Sequence, residues 1–350
     1  MKIIVLAGGL SPERNVSLSS GSMVCKALGG LGHQAALVDL FLGLEDYEGS
    51  PSGIFDAPPP LPATGIAAQA PDLSALRRSR RDKSASVFGP GVLEVCRLAD
   101  VVFLALHGTC GEDGRVQAAF DLLGVPYTGA GYLSSAIAMD KDLTKRLLPP
   151  QVKTPSWRTV EYTAGDIDAL VSSTPLPVVV KPVASGSSIG VSIARTAQEL
   201  RAALTDGLAS GGRTVLEQYV SGREIQVGIL DGQALPSIEI IPKTGFYDYQ
   251  NKYQPGAAVE VCPAEIPPTW EKALGDSAVA VFEALGLSVY SRADFIVDGD
   301  GTPWFLEINT LPGMTPTSLL PQEAQAVGIG YPELCQRIID SSLRARKEGR

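Results

Sequence analysis

The sequence lacks the features of secreted, membrane and zinc-binding proteins. Its 350 residues include only five cysteines, which lie far apart without a CxxC pair. Neither a disulfide framework nor a zinc site is therefore indicated. No apolar run approaches the roughly 20 residues that a membrane helix needs, and the opening apolar run 3–7 is too short for the core of a signal peptide. We expect a cytoplasmic protein with reduced thiols.

A basic surface is also lacking. The formal net charge is −9, and the one dense basic run, at residues 77–83, lies close to a proline-rich segment. This balance argues against a nucleic-acid partner. With 45% hydrophobic and 19% charged residues, the chain can bury a core large enough for two or three domains. A globular enzyme fits this composition, whereas a fibre or a disordered tail does not.

Short apolar runs alternate with helical patterns through residues 1–138. A first strand at 3–7 is followed by Gly8-Gly9 and by a helical pattern over 19–31, and further apolar runs occupy 35–40 and 101–106. This alternation predicts an open parallel sheet covered by helices, that is, an α/β domain.

The segment 46–88 is rich in Pro, Gly, Ser and Ala. We interpret it as an inserted, partly mobile surface loop, which costs little loop-closure entropy. The alternative is a regulatory or partner-binding arm.

Two further units follow, an α+β unit at 139–220 and a strand-rich unit at 221–350. In the last unit we expect strands to dominate until closing helices after Gln322 and Tyr331. The turn sequence Asp-Gly-Asp-Gly at 298–301 predicts a β-hairpin between 295–297 and 304–306.

A phosphate-binding loop is the first candidate site. Lys181 ends an apolar strand, and the loop at 185–190 offers glycine backbone NH groups and serine hydroxyls that could cradle anionic oxygens. An ammonium at the end of such a strand is costly without an anionic partner. The loop is not a Walker A motif, since no GK[ST] follows, and a plain hairpin is the alternative.

The predicted hairpin carries a candidate metal site. If its loop has an even number of residues, Arg292 and Asp294 project from the same sheet face as Phe305, Glu307 and Asn309. Such oxygen ligands suit Mg²⁺ that keeps waters and bridges phosphates. The alternative is a solvated ion pair between Arg292 and Glu307, which would contribute little.

Three more regions are candidates. The segment 243–255 crowds four aromatic residues and is either a closing lid or an Ω-loop packed on the surface. Glu13 lies in the first strand-to-helix loop, which departs from GxGxxG, so it is placed to pair with a substrate ammonium or else is a solvated carboxylate. His107 ends another strand and is either a second site residue or a structural histidine.

Seven segments, taken in order, resemble the D-alanine–D-alanine ligase family of ATP-grasp enzymes. They cover nearly the whole chain outside 46–88: GGLSPERNVSLSSG, LALHGTCGEDGRVQAAFDLLGVPYTG, MDK, VVVKPVASGSSIGVS, LEQYVSGREIQVGIL, FYDYQNKY and FLEINTLPGMTPTSLLP. The resemblance implies an N-terminal α/β domain followed by a two-lobed ATP-grasp fold, which holds ATP between its lobes. The implied reaction joins two D-alanine molecules through an acyl phosphate, for peptidoglycan precursor synthesis.

The resemblance also implies roles for individual residues. Two Mg²⁺ ions, or Mn²⁺ in their place, would be held by Asp294, Glu307 and Asn309. ATP would be bound by Lys141, Lys181, Ser187, Ser188, Glu217, Gln218, Tyr219, Val220, Glu224 and Lys252. D-Alanine would be bound by Glu13, His107, Ser318 and Leu319, and the catalytic residues would be Glu13, Ser187, Tyr253, Arg292 and Gly313.

Several points stay open. Gln218 stands where many relatives carry a charged residue, which puts its side-chain contact to the base in doubt. Tyr253 and Leu319 together favour D-alanine over D-serine or D-lactate as the second substrate. A different ATP-grasp ligase or a non-enzymatic nucleotide sensor would share the phosphate-binding residues. A plain α/β scaffold is the structural alternative, and its melting temperature would not rise with ATP. The residues themselves give no oligomeric state, and we expect a homodimer.

Overall fold

The computed structural model describes residues 1–62, 71–184, 186, 190–209, 211–243 and 257–348. In this part of the chain no helix is both long and apolar enough to cross a membrane. The phosphate-loop positions Ser187 and Ser188 and the aromatic-segment positions Lys252 and Tyr253 lie outside the described residues.

The N-terminal unit is a parallel sheet covered by helices, as predicted. Its three strands run in the order β2-β1-β3, with β1 paired in parallel to both neighbours. All five apolar side chains from Ile3 to Ala7 are fully buried. The first helix begins five residues before the expected position. The elements are β1 (Lys2–Ala7), α1 (Arg14–Gly30), β2 (Gln34–Asp39), α2 (Leu73–Ser79), α3 (Val92–Leu98), β3 (Val101–Leu104), α4 (Arg115–Leu123) and α5 (Tyr132–Met139).

The insertion at 46–88 has a buried anchor that its composition does not reveal. Ile54 and Phe55 join the N-terminal core. Arg80 is only 1% exposed, and its guanidinium lies 4.8 Å from the ring centroid of Phe41. Arg80 Nε donates to Asp82 Oδ1 at 2.6 Å. A surface loop is therefore an incomplete description of this segment, because parts of it pack on the domain.

The middle unit is an antiparallel sheet with two helices on one face. Its strands run in the order β4-β7-β5-β6, and the apolar sides of α7 and α8 cover them. The elements are α6 (Lys141–Arg146), β4 (Trp157–Glu161), α7 (Ile167–Ser173), β5 (Val178–Pro182), β6 (Ser192–Ala194), α8 (Ala197–Leu208) and β7 (Arg213–Gln218).

The C-terminal unit is built on a larger antiparallel sheet of order β11-β10-β8-β12-β13, with β9 paired to β8. Strands dominate this unit before the closing helices, as expected, and one helix that the sequence analysis did not place, α9, lies between β11 and β12. The elements are β8 (Arg223–Leu230), β9 (Gln233–Ala234), β10 (Ile238–Pro242), β11 (Ala258–Val261), α9 (Pro268–Ala284), β12 (Tyr290–Val297), β13 (Pro303–Asn309), α10 (Leu319–Ala326) and α11 (Tyr331–Lys347).

The sequence does contain the signal for α9. Its buried residues Leu274, Ala278, Val281 and Phe282 have the i, i+4, i+7, i+8 spacing of a helix that packs one face on a sheet. The last helix, α11, crosses back to the first unit, where it packs on α1 and buries Leu334 in the N-terminal core.

The β12–β13 hairpin contains an irregularity that decides which side chains reach the site. Val297 pairs with Pro303, so the loop has five residues, an odd number, and Phe295 pairs with Phe305. Beyond this point the register shifts, and Asp294 pairs with Glu307. Leu306 is therefore the extra residue of a β-bulge.

Because of the bulge, the five residues predicted to share one face of the hairpin do not all lie on that face. Phe305 is buried against Phe295 on the core face, with ring centroids 5.7 Å apart, so its placement beside Arg292 and Asp294 is wrong. Glu307 and Asn309 do share a face with Asp294 and Arg292.

Candidate active site

A cleft opens between the middle and C-terminal sheets. Its apolar walls include Val179 and Ile193 from one sheet and Ile296 and Leu306 from the other. Its lining also includes seven of the residues that the sequence associates with ATP: Lys141, Lys181, Glu217, Gln218, Tyr219, Val220 and Glu224. A largely apolar slot with charged groups at defined positions suits a planar base joined to an anionic tail.

A buried charge cluster supports the cleft. The Lys181 ammonium contacts the Glu217 carboxylate, which is 1% exposed. The ammonium of Lys145 lies 2.6 Å from the second oxygen of the same carboxylate. Burial alone would raise the pKa of Glu217, but the ammonium groups of Lys181 and Lys145 lower it below its ordinary value. Glu217 therefore stays ionised, and both of its oxygens face lysines.

Lys145 is a site residue that the sequence analysis missed. Lys141 and Lys145 lie one helical turn apart on α6, and both are buried. The spacing places them on one side of the helix, but it does not show that this side is buried. Burial lowers the pKa of Lys145 to about 8, while the Glu217 charge opposes that change.

The candidate metal residues meet on β12 and β13. Arg292 donates to both oxygens of Asp294, at 2.9 Å and 3.0 Å. Asn309 Nδ2 donates to Asp294 Oδ2 at 3.3 Å, which leaves the amide oxygen of Asn309 to accept. Glu307 forms an ion pair with Lys141 at 2.9 Å. The two carboxylates thus have Arg292 and Lys141 as partners.

This donor set fits a hard divalent cation. Among the described residues no group of three His, Cys, Asp or Glu side chains could hold a metal, so any ion here would rely on two carboxylates, one amide oxygen and further oxygens from water or phosphate. Mg²⁺ prefers such a mixture.

The Glu13 carboxylate, at the start of α1, is closely approached by main chain. A Cβ added at Gly186 would come within 2.7 Å of Glu13 Oε2, and one at Gly108 within 3.0 Å. Both glycines therefore allow main chain to approach this carboxylate where a larger residue would collide. Glu13 is 6% exposed, so a solvated carboxylate is not what the structure places here.

His107 and Glu112 line the same region. His107 Nδ1 donates to the Leu311 carbonyl oxygen at 3.0 Å. Its Nε2 is buried without a hydrogen-bond partner among the described residues, and burial lowers its pKa. The neutral ring therefore presents Nε2 as an acceptor.

Glu112 was missed by the sequence analysis, although it stands in the quoted glycine-rich segment Gly-Glu-Asp-Gly. Glu112 Oε2 accepts from the Gly108 NH at 2.7 Å. Burial, and next the charge of Glu13, raise the pKa of Glu112. This carboxyl orders the loop that carries His107.

The loop before α10 gathers the remaining candidates. Ser318 Oγ accepts from the Thr315 NH at 3.0 Å, and a Cβ at Gly313 would lie 2.9 Å from that same oxygen. Leu319 begins α10 and is buried against Ile238 and Ile240. The structure therefore brings Gly313, Ser318 and Leu319 together.

Comparison with known proteins agrees with this architecture. The family model described as D-ala D-ala ligase N-terminus matches residues 2–130, and the one described as D-ala D-ala ligase C-terminus matches residues 152–340. A D-alanine–D-alanine ligase from Pediococcus pentosaceus is 42% identical over 342 residues, which cover 97% of each chain. One from Lacticaseibacillus casei is 40% identical over 352 residues, covering 100% of this chain and 98% of the relative.

Solved structures show the same likeness. The D-alanine–D-alanine ligase of Bacillus anthracis complexed with ATP has a TM-score of 0.74 and 31% identity, with 100% of both chains covered. The VanG D-Ala:D-Ser ligase of Enterococcus faecalis has a TM-score of 0.74 and 26% identity, covering 97% of this chain and 99% of that one. The predicted α/β and ATP-grasp fold is confirmed, and the chain belongs to the D-alanine–D-alanine ligase family.

Proposed function

We propose that this chain is an ADP-forming ligase that joins two D-alanine molecules into D-alanyl-D-alanine for peptidoglycan precursor synthesis. One observation carries the proposal most directly. Lys141 and Glu307 line both the nucleotide cleft and a second, smaller cavity bounded by Glu112, Gly186 and Asn309. The phosphate end of the cleft thus adjoins the Glu13 region, where an amino-acid substrate would lie.

The chemistry requires two consecutive steps. A carboxylate is a poor electrophile, so the first D-alanine carboxylate attacks the terminal phosphate of ATP and ADP leaves. The amine of the second D-alanine then attacks the acyl phosphate, and phosphate leaves as the amide bond forms. Negative charge builds up in both steps, so fixed cationic groups and NH donors are the main catalytic requirement.

Side chains and one backbone NH of this chain would supply these cationic groups and donors. Lys141 and Lys181 would bind ATP phosphates at the polar end of the cleft. Glu13 would hold the ammonium of the first D-alanine, because it is a buried carboxylate closed in by backbone. Arg292 and the Gly313 NH would stabilise the oxyanion of the second step.

Divalent cations would complete the phosphate site. Asp294, Glu307 and Asn309 would hold Mg²⁺, or Mn²⁺ in its place, and the bound ions would neutralise phosphate charge during transfer. The Arg292–Asp294 hydrogen bonds at 2.9 Å and 3.0 Å hold the Asp294 carboxylate in a fixed orientation.

The second substrate is proposed to be D-alanine because the subsite is apolar on one side. Leu319 packs with Ile238 and Ile240, and its apolar side chain offers a substrate hydroxyl no hydrogen-bond partner. Tyr253, outside the described residues, was predicted to act with Leu319 here. D-Serine as second substrate is the competing proposal. It is motivated by the structural likeness to a D-Ala:D-Ser ligase.

The test is phosphate release by purified protein supplied with ATP and Mg²⁺. D-Alanine alone should support turnover. If turnover requires D-serine or D-lactate beside D-alanine, the assignment of the second substrate is wrong. A nucleotide sensor would instead keep its function in Arg292→Ala, whereas a ligase loses turnover and retains nucleotide binding. A cytoplasmic location and a homodimeric assembly are also proposed.

A further inference from the structure

Lys145 occupies an unusual position for a lysine. Its side chain is 0% exposed, and its ammonium lies 2.6 Å from Glu217 Oε1. It also donates to the Thr154 hydroxyl and to the Phe305 carbonyl oxygen at 3.4 Å. Burying an ammonium is costly unless anionic or acceptor groups compensate. The position therefore requires a reason beyond packing.

The reason lies in the carboxylate that Lys145 shares. Glu217 Oε2 contacts the Lys181 ammonium, and Lys181 lines the nucleotide cleft. If Glu217 had Lys181 as its single cationic partner, the pair would be neutral. Lys181 would then offer little net charge to a phosphate.

With Lys145 present, the cluster has a different charge. Two ammonium groups and one carboxylate give a net charge of +1. Lys145 faces the buried side, with its ammonium 5.7 Å from the Trp157 ring centroid, whereas Lys181 faces the cleft. The surplus positive charge is therefore available at the cleft surface.

We propose that Lys145 is a positioning residue for nucleotide phosphates: by sharing the Glu217 carboxylate, it frees the Lys181 ammonium to bind a phosphate oxygen. This rests on the proposed nucleotide-binding function of the cleft. The ligand class is a nucleoside di- or triphosphate. Lys145 itself acts through Glu217 and Lys181 without touching the ligand.

The experiment compares binding of ADP with binding of adenosine, measured by titration calorimetry on the full chain at pH 7.0 with Mg²⁺. At this pH Lys145 is charged, since its pKa is about 8. Lys145→Gln makes the remaining Lys181–Glu217 pair neutral. We expect ADP affinity to fall about tenfold, the scale of a unit charge acting across several ångströms of mixed dielectric, while adenosine affinity stays unchanged.

A double variant separates this effect from structural damage. Lys145→Gln with Glu217→Gln leaves Lys181 as the single charged member, so the cluster charge returns to +1. Because Glu217 itself lines the nucleotide cleft, the double variant is judged by the ratio of ADP affinity to adenosine affinity, which should recover to near that of the unaltered chain. If the two substitutions acted only by disturbing the packing of this buried cluster, the ratio would not recover.

The same ADP and adenosine titrations provide the control and the outcomes that would contradict the proposal. Lys272→Met removes one positive charge from an exposed pair with Asp276 and should leave ADP binding unchanged. The proposal is overturned if Lys145→Gln leaves ADP affinity intact, if it weakens ADP and adenosine binding equally, or if adding Glu217→Gln does not restore the ratio of ADP affinity to adenosine affinity. Lys145→Met repeats the test if Lys145→Gln does not fold.

The ligase proposal and the role of Lys145 can each be contradicted without the other. Absence of D-alanine-dependent phosphate release from an ADP-binding protein would contradict the ligase proposal and leave the role of Lys145 standing. Conversely, active protein whose ADP affinity does not depend on Lys145 would contradict the further inference alone.

Discussion

The buried carboxyl of Glu323 should make the free energy of unfolding fall as pH rises. Glu323 lies on α10 and is 0% exposed. Its Oε1 accepts from the Gly228 NH at 2.8 Å, and Gly228 pairs with Arg292 on the neighbouring strand. Burial raises the pKa of Glu323 well above its ordinary value, although the Gly228 NH and Arg292 oppose this.

The sign of the effect follows from this raised pKa. Between the unfolded and folded pKa values, the folded protein binds the extra proton, so the free energy of unfolding falls as pH rises. The loss is at most about 1.4 kcal/mol for each pH unit in that interval. The stabilisation is complete below the unfolded pKa and is lost as pH rises through the folded pKa.

Two substitutions separate charge from contact. Glu323→Gln keeps an oxygen to accept from Gly228 and cannot ionise, so its stability relative to the unaltered chain should increase from pH 5.5 to pH 8.5. Glu323→Ala loses the acceptor and leaves a gap, which should cost about 2–4 kcal/mol at pH 5.5. Urea denaturation followed by circular dichroism at both pH values measures these differences. A difference between Glu323→Gln and the unaltered chain that does not change with pH would refute the reasoning.

Three further predictions concern the site and its support. Phe305→Ala removes a fully buried ring packed on Phe295 and should lower the free energy of unfolding by about 3–5 kcal/mol in urea titrations; a loss under 1 kcal/mol would contradict the core-side placement of Phe305. Gly186→Ala places a Cβ 2.7 Å from Glu13 Oε2, so steady-state kinetics should show a raised KM for D-alanine with little change in ADP affinity. Arg292→Ala should lower kcat about 10²–10³-fold while thermal shift with ATP still shows binding; unaltered kcat would exclude Arg292 from catalysis.

Strand alternation made part of the site predictable. Polar Glu307 and Asn309 flank buried Ile308, and the period of two places both on one face of β13. Their meeting with Arg292 and Asp294 was predicted on the condition of an even loop. The loop has an odd number of residues, so the condition is not met, and the bulge at Leu306 brings these four residues onto one face instead. Bulges have no reliable local signature in a single sequence.

The missed residues share a different cause. Lys145, Glu112 and Glu323 are charged side chains that each have a partner distant in sequence, so their burial could not be read from neighbouring residues. For Glu112 this partner is the Leu311 NH, which donates to its Oε1 at 3.4 Å. The partner of Lys145 is on β7, and that of Glu323 is on β8. Local pattern predicts exposure for such residues, and only the tertiary fold shows that their charges are compensated. The helix α9, in contrast, had a helical spacing that could have been recognised.

D-Alanine-dependent phosphate release tests the central claim most directly. Purified protein is incubated with ATP, D-alanine and Mg²⁺. The Mg²⁺ is then removed with a chelator and afterwards added back. The account predicts phosphate release that requires D-alanine, stops with the chelator and resumes with Mg²⁺. Protein that is stabilised by ATP but releases no phosphate above the D-alanine-free blank would contradict it.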